Sequence, residues 1–198
     1  MFIFREIRTE PLFLKLSSDK VDSASPEAMD RLRASIAQMN PRAVVVQTAS
    51  RIYVDGRKRI RGKRVLVVED GPTVTHGGMA YGAGALAARR HGAAELVDPR
   101  PFAVGSLKSV FDAYPHLTQI LPAEGYFSEQ LKDLEATIQR TPCDLVLVAT
   151  PIDLSRLIKI PQPVLRVSYR IEDWGEPTLD QAMEEFIRHH PLPTLPPR

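Results

Sequence analysis

The stretch RVLVVEDGPTVTHGGMAYGAG, residues 64–84, decides the fold. It begins with an apolar run, Val65 to Val68, which changes at once to two carboxylates, Glu69 and Asp70, and then to a loop of glycines and threonines. The alanine-rich segment from Ala83 to Arg90 follows and predicts a helix. Strand, polar loop and helix are the repeating unit of an α/β fold, so we expect a mostly parallel sheet with helices on both faces.

The loop itself predicts a site for a phosphate or a nucleotide. In open α/β sheets, ligands bind at the carboxyl ends of the strands, where loops carry polar side chains and helix N-termini offer free N–H groups. The residues that we assign to substrate and phosphate binding in this loop are Thr73, Thr75, Gly77, Gly78, Tyr81, Gly82 and Gly84. His76, between a threonine and two glycines, could act as a general acid or base or as a donor to phosphate. The alternatives are a simple glycine-rich turn, and a Tyr81 that packs under the loop.

Two further loops with charged residues follow predicted strands. One contains Asp98 with Arg100, and the other contains Thr150 with Asp153. Carboxylates at strand ends suit Mg²⁺, which prefers oxygen ligands and bridges phosphates, and Arg100 could bind a phosphate in a bidentate manner. We therefore expect Asp70 and Asp98 at a metal, and Asp98, Thr150 and Asp153 near substrate. The catalytic candidates are Glu69, Asp70, His76 and Arg100. For each carboxylate the alternative is a helix cap or a surface charge, and for Asp153 we prefer this alternative.

The composition is that of an ordinary globular protein and excludes several function classes. The chain has 198 residues, of which 43% are hydrophobic and 25% are charged. A single cysteine, Cys143, excludes an internal disulfide and a multi-cysteine metal site, which favours a reducing cytoplasm. A net charge of +2 gives no argument for nucleic acid, and no apolar run is long enough for a membrane span. The basic run 57–64 is either a solvated connection or a field that attracts anions.

Periodicity and end signals place further elements. Ser25 and Pro26 predict the start of a helix. Its expected buried stripe is Ala28, Leu32, Ile36 and Met39. Residues 42–47 and 116–121 predict strands, and Thr178 predicts the start of a last helix over 179–189. We divide the chain into a first part over residues 1–50, a basic linker over 51–63, an α/β domain over 64–190 and a proline-rich tail over 191–198.

Several long segments resemble one known family. They are VLVVEDGPTVTHGGMAYGAG, AAELVDPRPFAVGS, YPHLTQILPAEGY and DLVLVATPIDLSRLIKIPQPVLRVSY. Together they are similar to the C-terminal portion of the cyclic 2,3-diphosphoglycerate synthetase family and of its bacterial relatives described as predicted GTPases. The resemblance covers roughly residues 17 to 187. It implies the C-terminal portion of a P-loop NTPase-type protein followed by a Rossmann-like domain.

The resemblance also implies a nucleotide. Asp19, Lys20 and Asp22 stand where the family's guanine-reading motif would be, although position 19 is Asp in place of Asn. Residues 48–50 correspond to a later loop of the same domain. No GxxxxGK[ST] occurs in the chain, and in P-loop enzymes that element cradles the phosphates. We therefore expect the chain to be truncated or encoded separately from a P-loop half, and to be inactive alone.

For the full family, the resemblance implies a ligase that uses ATP to close 2,3-diphosphoglycerate to a cyclic phosphoanhydride. The implied cofactors are Mg²⁺ and ATP or GTP. The implied partners are a small phosphorylated substrate and a P-loop half or a second copy, with no nucleic acid or membrane. The alternatives are a GTPase without cyclase activity and a non-catalytic nucleotide-binding or interaction fragment of a predicted GTPase.

Overall fold

The computed structural model describes residues 13–18, 26–76, 78–125 and 127–189. The chain forms two compact units: the smaller contains residues up to Arg51 and those from Arg170 onward, and the larger runs from Ile52 to Tyr169. Some residues with predicted roles lie outside the described ones, and they are Asp19, Lys20, Asp22, Ser25, Gly77 and the tail 191–198.

Seven strands and six α-helices alternate along the described residues, which makes the fold α/β. The strands are β1 (Phe13–Ser18), β2 (Val44–Val54), β3 (Arg64–Asp70), β4 (Glu95–Leu96), β5 (Leu121–Ala123), β6 (Leu145–Ala149) and β7 (Val164–Asp173). The helices are α1 (Pro26–Met39), α2 (Gly71–Thr75), α3 (Ala83–Arg90), α4 (Ser106–Ala113), α5 (Ser128–Arg140) and α6 (Leu179–His189). Three short 3₁₀ helices, Arg57–Arg59, Arg100–Phe102 and Leu154–Arg156, complete the described elements.

β3 is the central strand of the larger unit. One edge of β3 pairs with β6, which in turn pairs with β7. The other edge is shared, because β4 pairs with the first two residues of β3 and β5 pairs with the last three. All of these pairs are parallel. The carboxyl ends of these strands therefore face the same edge of the sheet, as predicted for a mostly parallel arrangement.

The core of the larger unit surrounds β3 and β6. Residues 65–68 of β3 are all completely buried, and so are nearly all side chains of β6 up to Val148. Because successive side chains of a strand point to opposite faces, both faces of these strands are covered. Helix α3 contacts both strands. Its small side chains Ala85, Ala87 and Ala88 are at most 1% exposed, so the helix backbone comes close to the sheet.

The smaller unit pairs β1 with β2 in parallel. In α1, Ile36 is buried but Met39 is 78% exposed, so the prediction that Met39 belongs to the buried stripe is wrong. The predicted start of α6 is confirmed: the Gln181 N–H donates to Thr178 Oγ1 (3.2 Å), and the Thr178 N–H donates to Gln181 Oε1 (2.8 Å). This reciprocal pair is a capping box, which satisfies N–H groups that a helix start leaves free.

Two predicted boundaries differ from the structure. β2 continues to Val54, so the strand enters the segment that we predicted as a linker. The strand predicted over 116–121 is a turn for most of its length, in which the Leu117 N–H donates to Tyr114 O (3.0 Å), and pairing with β3 begins only at Leu121. Among the described residues, no helix combines the length and apolarity that a membrane span requires.

Candidate functional site

Glu69 is the buried carboxylate at the end of β3. Its side chain is 3% exposed, and Oε1 accepts hydrogen bonds from the N–H groups of Gly82 (3.1 Å) and Ala85 (2.9 Å). These are N–H groups at the start of α3, which have no partner inside the helix. Glu69 therefore caps α3 from a distant part of the sequence, and the protein's own carboxylate occupies the position that an anion would take there.

Burial dominates the electrostatics of Glu69. It raises the pKa of the carboxyl to about 7, the hydrogen bonds from the α3 backbone oppose this rise, and the neighbouring charge of Asp70 adds to it. A carboxyl with this pKa exchanges its proton near neutral pH. We therefore expect the contact between β3 and α3 to respond to pH near neutrality.

The glycines around Glu69 permit close approach of the backbone. A Cβ atom on Gly82 would lie 2.5 Å from Glu69 Oε2, and one on Gly84 would lie 2.7 Å from Val67 Cγ1. A Cβ atom on Gly71 would lie 2.6 Å from the backbone oxygen of Ala123 in β5. These three glycines hold α2 and α3 tightly against the strands. Gly78 differs, because it has open space around it and a φ of +61°.

Asp70 follows Glu69 but belongs to another environment. The side chain is half-buried and its Oδ2 accepts a hydrogen bond from Thr73 Oγ1 at 2.7 Å, across the first turn of α2. At the other end of α2, the buried Thr75 Oγ1 donates to Gly71 O (2.9 Å) and lies 3.1 Å from Nδ1 of the exposed His76. Residues 70–76, which include α2 and its two flanking residues, thus carry a carboxylate, two hydroxyls and an imidazole.

The structure adds Glu124 to this group. The register pairs Asp70 with Ala123, so Glu124 follows β5 at the level where Gly71 follows β3. Burial raises the pKa of Glu124 most, the charge of Asp70 raises it further, and His76 and Thr75 lower it. Its Oε1 is buried without a hydrogen-bond partner. We call Asp70, Thr75, His76 and Glu124 the strand-end cluster.

Glu124 was not among the predicted site residues, although the sequence contains a signal for it. The residues LPAEG repeat the pattern of β3, in which an apolar run ends in a carboxylate and a glycine. The predicted strand ends at Leu121, whereas β5 runs from Leu121 to Ala123, so Glu124 directly follows the strand. Only the pairing of β5 with the last residues of β3 brings Glu124 and Asp70 together.

Asp98 and Arg100 form a pair of their own. Arg100 Nε donates to Asp98 Oδ1 (2.9 Å), and Arg100 Nη2 donates to Oδ2 (2.6 Å). These hydrogen bonds lower the pKa of Asp98. β4 pairs only with the first residues of β3, and Arg100 lines a cleft whose wall includes no member of the strand-end cluster. The structure therefore does not bring Asp98 and Arg100 together with Asp70.

Two of the remaining candidates make local contacts after β6. Ala149 pairs with Glu69, so Thr150 lies at the level of Asp70, but its Oγ1 donates to Ile152 O (2.7 Å). Asp153 Oδ1 accepts from the N–H (3.2 Å) and hydroxyl (2.6 Å) of Ser155, and this lowers its pKa. Asp153 thus caps the short helix Leu154–Arg156.

Tyr81 is a half-buried residue of the loop before α3. Its ring packs against the core, and the guanidinium carbon of Arg89 lies 5.4 Å from the ring centroid. This distance is typical of a cation–π contact. The ring therefore already has contacts on the protein side.

Within the described part of the chain, no three His, Cys, Asp or Glu side chains are grouped closely enough to hold a metal. Mg²⁺ needs fewer protein ligands, because it usually keeps several waters and binds one or two carboxylates together with substrate phosphates. Asp70 and Glu124 are two such carboxylates, and Glu124 Oε1 is buried without a hydrogen-bond partner. The donor set of the strand-end cluster fits that mode of binding.

Comparison with known proteins shows that this chain is similar to part of a longer protein. No protein-family model matches the chain. The chain is 50% identical over 171 residues to a protein of Thermococcus kodakarensis named arginine synthetase ArcE. The similarity covers 86% of this chain but only 38% of that protein. The chain is thus similar to part of a synthetase, and it spans well under half the length of that relative.

Proposed function

We propose that the chain provides the substrate side of a nucleotide-dependent synthetase, with the strand-end cluster as its polar centre. The observation that carries this proposal is the pairing of β3 with β5, which sets Asp70 and Glu124 at the ends of neighbouring parallel strands. Half the residues in the aligned part of the chain are identical to those of a synthetase, which supports the same class of reaction.

The chemistry of such a site is activation of a substrate oxygen by phosphoryl transfer. Asp70 and Glu124 would hold Mg²⁺, which when bound would neutralise phosphate charge. His76, exposed beside Thr75, would donate a hydrogen bond to a phosphate oxygen or move a proton at the group that attacks. Thr73 and Thr75 hydrogen-bond to Asp70 and to the α2 backbone, so they position the loop. The protein's task is then positioning and charge stabilisation.

Arginine is the first candidate product, because the 50% identical relative is named an arginine synthetase. A guanidinium group forms when ammonia displaces the activated oxygen of a ureido group. The C–N bond replaces a C–O bond, and the oxygen leaves as phosphate. Cyclic 2,3-diphosphoglycerate is the second candidate, and it is supported by the family resemblance of residues 17 to 187. In both reactions phosphoryl transfer turns a substrate oxygen into a leaving group, and a nucleophile then attacks the carbon or phosphorus atom that carries it.

The nucleotide part of the proposal rests on sequence. Asp19, Lys20 and Asp22 would read the base of GTP or ATP, and a P-loop half or a second copy of the chain would complete the triphosphate site. The alternative is a non-catalytic fragment that binds nucleotide or a partner. The alternative predicts that Asp70→Asn and Glu124→Gln leave product formation unchanged when a P-loop half is added.

A product assay tests the proposal. Purified chain is incubated with Mg²⁺ and either ATP or GTP. One arm contains citrulline and ammonia, the other contains 2,3-diphosphoglycerate, and mass spectrometry identifies the product. Both arms are repeated with the remaining segment of an ArcE-like protein added. With the remaining segment added, we expect arginine in the first arm, and at least tenfold less of it with Asp70→Asn or Glu124→Gln.

The control is Glu129→Gln, which removes an exposed carboxylate outside the cluster and should leave the rate unchanged. Product in the second arm alone would assign the cyclase activity. Absence of any product in either arm, together with no nucleotide binding by calorimetry, would refute the synthetase proposal.

A further inference from the structure

An open cleft of about 690 Å³ lies in the larger unit. Its wall is formed by the 3₁₀ helix Arg100–Phe102, the helix α4 with the turn after it, and the end of α5. The residues that line it are Arg100, Pro101, Phe102, Ala103, Lys108, Phe111, Asp112, Pro115 and Arg140. The volume is within the range of small-molecule sites, about 300 to 1,000 Å³. None of the strand-end cluster contributes to this wall.

The charge of the cleft is mainly positive. Arg100, Lys108 and Arg140 contribute three cations, and Asp112 contributes the only carboxylate among the lining residues. Nε and Nη2 of Arg100 donate hydrogen bonds to the Asp98 carboxylate. These bonds fix the plane of the guanidinium and leave Nη1 available as a donor. No ion pair joins Lys108 or Arg140 to another of the described residues. Three cations, one of them held in place by a carboxylate, form a suitable surface for an anion.

The position of Lys108 strengthens this interpretation. Lys108 lies in the first turn of α4, where the helix dipole disfavours a cation. Arg140, in the last turn of α5, is favoured by the dipole of its own helix and needs no further explanation. The dipole of α4 therefore does not stabilise a cation at position 108, whereas a bound anion would stabilise it.

The remaining lining is apolar and partly aromatic. Phe111 is 7% exposed, Phe102 is half-buried, and Pro101 and Pro115 are exposed beside them. Guanidinium groups bind phosphate with strong, charge-assisted hydrogen bonds, and apolar walls accept the uncharged part of a small molecule. We propose that this cleft binds a phosphorylated small molecule through Lys108, Arg140 and the outer edge of Arg100, at a site separate from the strand-end cluster.

Calorimetry with tripolyphosphate as the probe tests this proposal. The titration is run with EDTA and with salt at about 0.15 M, so that metal-dependent binding at the strand-end cluster is suppressed and loose surface attraction is screened. We expect Lys108→Gln and Arg140→Gln each to weaken binding about tenfold, since each removes one charge-assisted contact. Adenosine, which carries no phosphate, should not bind.

Matched variants separate binding in the cleft from binding elsewhere on the surface. Lys132→Gln removes an exposed cation of α5 outside the cleft and should change the affinity less than twofold. Asp70→Asn and Glu124→Gln should leave tripolyphosphate binding unchanged, although both reduce product in the synthetase assay. Unaltered affinity in Lys108→Gln and Arg140→Gln, an equal loss in Lys132→Gln, or no measurable binding by the wild-type chain would each overturn the proposal.

Discussion

Glu69 and Asp70 are adjacent carboxylates that lie in different environments. Glu69 is buried against α3, and its oxygen is committed to N–H groups of the backbone. Asp70 is half-buried beside α2, where it accepts a hydrogen bond from Thr73 and has Glu124 as an electrostatic neighbour. Successive residues of a strand point to opposite faces, so one residue of offset separates a carboxylate that builds the fold from one that can meet a ligand.

The same comparison applies to the other loops of this sheet edge. Asp153 resembles Glu69, because it caps a short helix. Glu124 resembles Asp70, because it lies at a strand end and is partly buried, and its Oε1 has no hydrogen-bond partner. Acidic residues at strand ends are therefore of two kinds, and hydrogen bonds from backbone N–H groups distinguish them. Four predictions test this division.

The largest effect is expected from Gly71→Ala. The new Cβ would lie 2.6 Å from the backbone oxygen of Ala123, so β5 or α2 has to move. We expect a loss of about 3 kcal/mol in the free energy of unfolding, because the added methyl group overpacks against backbone atoms. Urea denaturation measures it.

The control for this change is Gly78→Ala. Gly78 has no atom within 4 Å of a new Cβ, and only its φ of +61° resists the substitution. A cost of about 1 kcal/mol is expected from the left-handed conformation alone. If Gly71→Ala cost no more than Gly78→Ala, the close contact between α2 and β5 that joins Asp70 to Glu124 would be incorrect.

The fold was largely predictable because its main signal is local. The uninterrupted apolar residues 65–68 predict a strand, and the structure confirms a strand in which these residues are buried. The cap on α6 was equally local, since Thr178 and Gln181 are three residues apart. In contrast, Met39 fits the helical spacing of α1 but lies at its last residue, where nothing among the described residues covers it.

The site was less predictable because its contacts are distant in sequence. Glu69 bonds to a backbone N–H that lies 16 residues later, and Asp70 meets Glu124 only through the register of two strands. No spacing rule in the sequence encodes either contact. Asp98 and Arg100 are only two residues apart and form a local hydrogen bond. The sequence pattern instead predicts Asp98 and Asp70 at one metal.

The second prediction concerns Glu69→Gln and pH. The carboxyl has a folded-state pKa of about 7 against an ordinary 4.5, so the folded protein binds this proton more tightly than the unfolded chain does. The stability from this proton is complete below pH 4.5 and is lost as the pH rises through 7. Glutamine cannot titrate. As the pH is lowered from about 8 to about 4.5, the free energy of unfolding of the wild type should therefore rise by about 3 kcal/mol relative to that of the variant.

Urea denaturation of both proteins at several pH values measures this difference. Glu129→Gln, in which an exposed carboxyl is replaced, should follow the wild-type profile. A wild-type to Glu69→Gln difference that stays constant with pH would mean that Glu69 is ionised and solvated in the folded protein. It would then belong with Asp70, and the division between the two residues would fail.

The third prediction is a smaller effect at Asp153. Asp153→Ala removes the acceptor for the Ser155 N–H and hydroxyl, so the short helix Leu154–Arg156 loses its cap. We expect a lower urea midpoint, with a decrease smaller than that caused by Gly71→Ala, and an unchanged yield in the synthetase assay. Asp153→Asn, which retains an acceptor oxygen, should recover most of the loss. Loss of product at unchanged stability would move Asp153 to the group of Asp70.

The smallest effect is the most specific, because it concerns the titration of Glu124. The charge of Asp70 raises the pKa of Glu124 and His76 lowers it, so removal of these two neighbours should shift the pKa in opposite directions. NMR titration of the Glu124 side-chain carbonyl should give a lower pKa in Asp70→Asn and a higher pKa in His76→Gln. Glu69→Gln is the comparison variant, since Glu69 is not among the groups that shift Glu124. Shifts of the same sign, or no shift in either variant, would contradict the electrostatic coupling of Glu124 to Asp70 and His76. The strand-end cluster would then not act as one electrostatic unit, and a cation shared by its two carboxylates would lose its physical basis.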